Sequence, residues 1–215
     1  MKPNLADLRK SYDKGSLDIN EVDGNPISLF ETWFKEAENL DSIEEPNAMS
    51  LSTIGKSGFP MTRVVLLKGF SEEGFIFFTN YESEKGQSIL RNPKVGISFF
   101  WPSLERQIII NGYAEKLSSE KSDTYFNSRP RGSQLGAHVS PQSSVIPNRK
   151  FLEDRLVVLT DKFKNITIPR PDHWGGILVK PFQIEFWQGR PNRLHDRISC
   201  RLINNKSWKI NRLAP

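Results

Sequence analysis

Apolar and polar positions along the chain follow two periods, and the switch between them predicts its elements. Ser28-Leu29-Phe30-Glu31 has the pattern of a capping box, and Phe30, Trp33, Phe34 and Ala37 continue at helical spacing, which predicts an amphipathic helix. From Ala48 to Trp101 the period becomes two. Met49, Leu51 and Thr53 alternate with Ser50, Ser52 and Ile54, a Gly55-Lys56-Ser57-Gly58 turn follows, and Arg63–Lys68 (RVVLLK) predicts the next strand. FIFFTN (75–80) and VGISFFW (95–101) predict two more, separated by a short polar helix around Ser83 to Arg91 that Asn92-Pro93 stops. QIIINGYAEK (107–116) predicts a fifth, in which Gly112 marks a bulge or a close approach by another backbone or ligand.

Ser118 or Ser119 can cap a helix running to about Asn127, and Asn148 to Lys164 predicts an amphipathic helix with Phe151, Leu152, Leu156, Leu159 and Phe163 on one side. Between them, residues 128–144 (SRPRGSQLGAHVSPQSS) fit neither period and predict a long irregular loop of the kind that carries function. Trp174-Gly175-Gly176 opens a strand to Val179, Gln183 to Trp187 resumes it, and a terminal hairpin turns at Asn204-Asn205-Lys206. The first two dozen residues are polar and mixed in charge, and predict an arm outside the core. Seven or eight strands in antiparallel order, interrupted by three or four helices, predict an α+β protein on a barrel-like sheet.

Composition narrows the function. Nothing approaches an apolar run of membrane length, and the N-terminus lacks the apolar middle of a secretory signal, so a cytoplasmic protein with no membrane partner is expected. A single cysteine, Cys200, excludes an internal disulfide and a cysteine-built metal site, and its alternation with apolar residues predicts a packed side chain. The three histidines are far apart and no metal is expected. The formal charge of +5 favours acidic partners. Its cations are scattered among nearly as many acids, which fits phosphate-bearing small molecules as well as polynucleotide. No GxGxxG, P-loop or G-x-S-x-G is present.

Four groups carry candidate chemistry. In an extended strand Arg193, His195 and Arg197 would share one face at ~7 Å intervals, either as a solvated edge or as a floor for an anionic ligand with a proton-handling group in its middle. Arg63 and Lys68 lie five apart, on opposite faces of an ideal strand, so they end an ordinary core strand, or that strand bends, or they reach different ligands. TNYESEK (79–85) follows a strand and opens a helix, where free N–H groups and Lys85 can hold a phosphate, although Glu84 suits the helix start alone. Tyr125, Arg129 and Ser133 recur every four residues, placing a phenol beside a guanidinium, as a surface pair or as donors to one phosphate.

Taken together, RVVLLK, ERQ, YFNSRPRGSQLGAHVSPQSS, WGG, IEFWQGRPNRLHDR and the terminal WKINRLAP resemble the pyridoxine/pyridoxamine 5′-phosphate oxidase family, over nearly the whole chain from Arg9-x-x-Tyr12 to Pro215. The resemblance implies an antiparallel split β-barrel with peripheral helices, an FMN-dependent oxidase forming pyridoxal 5′-phosphate from pyridoxamine 5′-phosphate or pyridoxine 5′-phosphate, and O2 as acceptor. It implies a homodimer with FMN at the subunit interface, an arm or lid over residues 1–25, one FMN-binding domain over 26–215, and a dimerisation region over about 174–215. By motif position Arg63, Ser83 and Lys85 would take the FMN phosphate and ribityl chain. Val64, Val65, Leu66, Leu67, Lys68, Phe78, Thr79, Gln107, Gln142, Ser143, Trp187 and Arg197 would complete the flavin site. Lys68, Tyr125, Arg129 and Ser133 would hold the substrate phosphate. Arg193 and His195 would sit at the substrate ring as the catalytic pair, with Arg9 and Tyr12 as a lid. Two departures stand out: the family commonly has arginine where this chain has Glu84, and often tyrosine where it has Phe78. Two rival classes stand beside it: a related split-barrel protein that binds flavin or pyridoxal phosphate without turnover and, from the basic charge alone, a barrel that binds nucleic acid, although no nucleic-acid partner is expected.

Overall fold

The computed structural model describes residues 4–204 and 207–215. Its helices are α1 (Pro26–Glu38), α2 (Glu84–Arg91), α3 (Ser119–Ser128), α4 (Arg131–Val139) and α5 (Arg149–Lys162). The strands are β1 (Ala48–Ile54), β2 (Pro60–Leu66), β3 (Gly69–Ser71), β4 (Gly74–Asn80), β5 (Lys94–Trp101), β6 (Arg106–Lys116), β7 (Trp174–Gln188), β8 (Asp196–Ile203) and β9 (Ser207–Leu213). All nine strands belong to one sheet, in the order β2-β1-β5-β6-β7-β4-β3, with β8 paired to β7 and to β9. The chain divides into two compact units.

Unit 1 comprises residues 1–50, 96–111 and 181–215. Helix α1 starts at Asn25, whose side chain caps Ile27 N–H, with Pro26 in the first turn. The expected capping box at Ser28 therefore gives way to a cap three residues earlier, because proline fixes the entry φ. Trp33 of α1 meets Phe186 of β7 edge-on at 5.3 Å, and Phe30 meets Phe99 of β5 at the same distance. The first two dozen residues are not wholly outside this core, since Leu17 and Val22 are buried. Strand β7 pairs antiparallel with β8, Trp187 opposite Arg197, and β8 with β9, Cys200 opposite Ile210. Of the turn expected at Asn204-Asn205-Lys206, Asn205 and Lys206 lie outside the described residues. Cys200 is fully buried and free, and burial pushes its thiol up to about 12.

Unit 2 comprises residues 51–95 and 112–180. Strand β4 pairs antiparallel with the first half of β7, from Phe75 opposite Val179 to Asn80 opposite Trp174. Gly112 of β6 lies against this half of β7: a Cβ there would meet the Lys180 carbonyl oxygen at 2.4 Å. The stretch expected to be an irregular loop contains helix α4, which buries Val139 and Leu135, the latter in a cluster with Phe126, Phe163 and Trp174. Helix α5 forms as expected, with Asn148 as its cap; none of its residues is fully buried and Leu156, Val157 and Val158 are exposed, while Phe151 and Leu152 are half-buried and Leu159 packs against the cluster of Phe126, Leu135 and Phe163. Strand β2 ends at Leu66 rather than Lys68.

Candidate functional site

Unit 2 holds a cleft of about 640 Å³. Its walls are Arg63, Val64, Val65, Leu66 and Lys68, then Phe78, Thr79 and Asn80 of β4, Lys85 of α2, and Tyr125 and Arg129 at the end of α3. Ser133, Gly136, Ala137, Ser140, Gln142 and Trp174 close it. Arg63 and Lys68 reach one cleft because the strand stops between them: the alternation of faces ends at Leu66, and Lys68 is tied through its N–H to Ile76 O at 2.8 Å. Leu67 is buried and does not line the cleft.

The cleft is built for an anion. Nη1 of Arg63 donates to Thr53 Oγ1 at 2.7 Å and to Met61 O at 2.8 Å, which fixes the guanidinium and leaves its other nitrogens without a hydrogen bond among the described residues. Lys85 is only 9% exposed. Burial and the nearby Arg63 hold its pKa below the usual lysine value, with Glu84 pulling it back up. Burial also lowers Arg63, again opposed by Glu84. Among the described residues none of Arg63, Lys68, Lys85 and Arg129 is ion-paired to a carboxylate. Arg129 lies with its guanidinium 4.4 Å over the Trp174 ring, and its buried Nη1 has no hydrogen-bond partner. Such an orphaned, charged donor is costly unless a ligand completes it. Tyr125 stacks on Phe78 with centroids 3.7 Å apart and planes 15° apart, which holds the phenol beside Arg129. Burial raises the Tyr125 pKa and Arg129 opposes that rise, so the phenol stays a donor at neutral pH. Ser83 caps α2: its Oγ donates to Asn80 O at 2.6 Å and accepts from Gly86 N–H at 3.2 Å, so the hydroxyl is engaged locally. Ser143 is exposed at φ 72° and does not line the cleft.

Asn80, Gly136, Ala137, Ser140 and Trp174 were missed by sequence reasoning. Residues 133, 136, 137 and 140 recur at helical spacing, a signal that disappears when the segment is taken as loop.

The other expected residues lie in unit 1. The rings of Trp187 and His195 are 4.6 Å apart, and Tyr12 packs at 5.7 Å from Trp187 and 5.9 Å from His195. The expected strand from Arg193 to Arg197 does not form. Pro191–Arg193 is a 3-10 turn, Asn192 and Arg193 sit at φ 58° and 62°, and β8 begins only at Asp196, so the three side chains do not alternate as on a strand. Arg193 is exposed, whereas Arg197 donates to Glu185 at 2.8 Å and to Ala214 O at 2.9 Å. Gln107 donates to Ser98 Oγ at 3.1 Å, and the exposed Arg9 donates to Ala6 O at 2.9 Å. Burial and Arg193 lower the His195 pKa. Sequence reasoning also missed Glu105, 1% exposed, whose Oε2 accepts from the N–H groups of Asp13 and Lys14 at 2.9 and 3.0 Å while Lys10 pairs with Oε1 at 3.3 Å. A lone acid between two strands has no periodic signature.

The pattern of the family described as pyridoxamine 5′-phosphate oxidase matches residues 36–162, and that of the pyridoxine 5′-phosphate oxidase C-terminal dimerisation region matches residues 174–215. The chain belongs to the pyridoxamine 5′-phosphate oxidase family. Its similarity to members of that family is full-length: it is 57% identical to the pyridoxine/pyridoxamine 5′-phosphate oxidase of Christiangramia forsetii and 51% to that of Trichormus variabilis, each covering 100% of both chains. Among solved structures it resembles PhzG from Burkholderia lata 383, in complex with tetrahydrophenazine-1-carboxylic acid, with a TM-score of 0.88 and 26% identity over 96% of this chain and 100% of that one. A pyridoxamine 5′-phosphate oxidase-related, FMN-binding protein from Nostoc punctiforme, 16% identical, shares the fold with a TM-score of 0.70 over 87% of this chain and 96% of that one. This family member therefore has the expected fold, an α+β split barrel on an antiparallel sheet. Among its described residues no helix is long and apolar enough to cross a membrane.

Proposed function

We propose that this enzyme oxidises pyridoxamine 5′-phosphate and pyridoxine 5′-phosphate to pyridoxal 5′-phosphate, with FMN as cofactor and O2 as acceptor, as a homodimer. The observation that supports the reading is the cleft of unit 2, where four cations have no carboxylate partner among the described residues and Arg129 Nη1 is orphaned, in a chain 57% identical to a pyridoxine/pyridoxamine 5′-phosphate oxidase.

The donor set fits two phosphate esters. Arg63 and Lys85 would hold the FMN phosphate, with Thr79, Gln107, Gln142, Ser143, Trp187 and Arg197 around the rest of that cofactor. When bound, FMN supplies a hydride acceptor for the exocyclic carbon of the substrate and then a two-electron donor to O2, which leaves as hydrogen peroxide. Lys68, Tyr125, Arg129 and Ser133 would fix the substrate phosphate, turning binding energy remote from the reacting carbon into its orientation. Arg129 is suited to this because its plane is set by Trp174 and its N–H edge is left for phosphate oxygens. Arg193 and His195 are assigned to the substrate ring, and Arg9 and Tyr12 to the arm that covers it.

The test is oxygen uptake by the purified holoenzyme. Pyridoxamine 5′-phosphate should support uptake with one hydrogen peroxide formed per substrate, and unphosphorylated pyridoxamine should be far slower. Absence of uptake from an FMN-loaded protein would leave binding without turnover.

A further inference from the structure

In unit 1, Nδ1 of His195 accepts a hydrogen bond from the main-chain N–H of Arg190 at 3.1 Å. An amide N–H can only donate, so the imidazole atom facing it carries a lone pair. A neutral imidazole has one N–H, which then resides on Nε2. Nε2 has no hydrogen-bond partner among the described residues.

We propose that His195 works as the neutral Nε2–H tautomer, a hydrogen-bond donor to the substrate rather than its general base, and that the main chain at Arg190 is the positioning element that imposes this. The proposal rests on the oxidase reading above. It decides between the two uses open to a histidine at the substrate ring: with Nδ1 engaged and Nε2 already protonated, this ring has no site to take a proton. When hydride leaves the exocyclic carbon, the proton shed by the amine or hydroxyl passes to water.

The turn that presents the Arg190 N–H is held on several sides. Gly189 N–H donates to Glu105 O at 2.7 Å, and Arg190 Nη1 donates to Gly15 O at 2.7 Å. Arg190 also pairs with Asp196 at 3.4 Å, and Asp196 in turn accepts from Leu17 N–H at 3.1 Å and Arg212 at 2.8 Å. A Cβ at Gly189 would meet Tyr12 at 2.8 Å, so arm and turn are packed without slack. Turning the imidazole over would replace Nδ1 by a carbon and orphan the Arg190 N–H. Arg193 is the charged group that acts on the ring, the Arg190 and Asp196 side chains pair with each other, and the ring neighbours on the arm and β7, Tyr12 and Trp187, are uncharged. Arg193 opposes an imidazolium, and Asp196 is already engaged by Arg190 and Arg212.

Nitrogen NMR of the FMN-loaded enzyme labelled with 15N-histidine, resolved with His138→Gln and His173→Gln, reads the tautomer directly. At pH 7 His195 should be neutral with its proton on Nε2, both without and with pyridoxal 5′-phosphate. A proton on Nδ1, or an imidazolium at pH 7, overturns the proposal. In turnover, His195→Gln, which offers an amide N–H near the Nε2 position, should exceed His195→Leu in kcat/KM by about tenfold, the worth of one hydrogen bond. Equal values for the two variants overturn the donor role. Loss of turnover in the unsubstituted holoenzyme would instead strike the oxidase reading, and the NMR result would still stand alone.

Discussion

At the scale of single residues, the end of the cleft proposed for the flavin phosphate depends on how charge is shared among Arg63, Glu84 and Lys85. Glu84 opens α2, where a carboxylate suits the helix N-terminus, yet it also spends part of the field that both cations would offer a phosphate. Glu84→Arg should therefore tighten FMN about tenfold, as one added charge-assisted contact would, and unchanged quenching of FMN fluorescence in a titration would contradict this. Lys85 sets a pH dependence. Its folded-state pKa lies below the usual lysine value, so it loses its charge as pH rises through that lowered value, and FMN affinity should fall on the alkaline side before exposed lysines titrate. Affinity that is flat into alkaline solution would remove Lys85 from the phosphate site. Arg129→Lys keeps the charge but loses the stack on Trp174 and the planar fork. The expected result is a fall of about tenfold or more in kcat/KM for pyridoxamine 5′-phosphate with FMN still bound, read by steady-state oxygen uptake.

At the scale of elements, period and turn chemistry carried the strands well, and packing decided what they could not. Met49, Leu51 and Thr53 alternate inward in β1 as their spacing requires, and Ser118 and Asn148 cap the helices that follow them. Helix α4 was hidden because Gly132 and Gly136 each cost about 1 kcal/mol in a helix, and Pro130 gives it no side-chain cap; the burial of Val139, and of Leu135 in the cluster of Phe126, outweighs that. The row from Arg193 to Arg197 was misread because alternation presumes extended backbone, and two consecutive residues at positive φ interrupt it. The tyrosine, arginine and serine spaced by four did indicate the cleft, whereas Glu105 and Trp174 acquire meaning only from long-range neighbours. Two glycines separate backbone need from backbone cost. Gly112→Ala would drive a methyl into the Lys180 carbonyl and should destabilise by about 1–3 kcal/mol, while Gly132→Ala meets nothing within 4 Å and should stabilise by up to about 1 kcal/mol. Urea midpoints for the two variants check both signs.

At the scale of the whole molecule, the two units divide the chemistry by kind. Unit 2 holds the cations and the aromatic stack proposed to take phosphate esters, and unit 1 holds the Tyr12, Trp187 and His195 rings together with the arm that Glu105 fastens. Residues 174–215 match a dimerisation region, so sedimentation should give twice the 24.7 kDa chain mass. The central claim, that this chain couples a phosphorylated vitamin to FMN, is tested most directly by the visible spectrum of the holoenzyme under anaerobic conditions. Adding pyridoxamine 5′-phosphate should bleach the yellow flavin band, and admitting air should restore it. A protein that stays yellow with substrate, or stays colourless after incubation with FMN, would contradict the account.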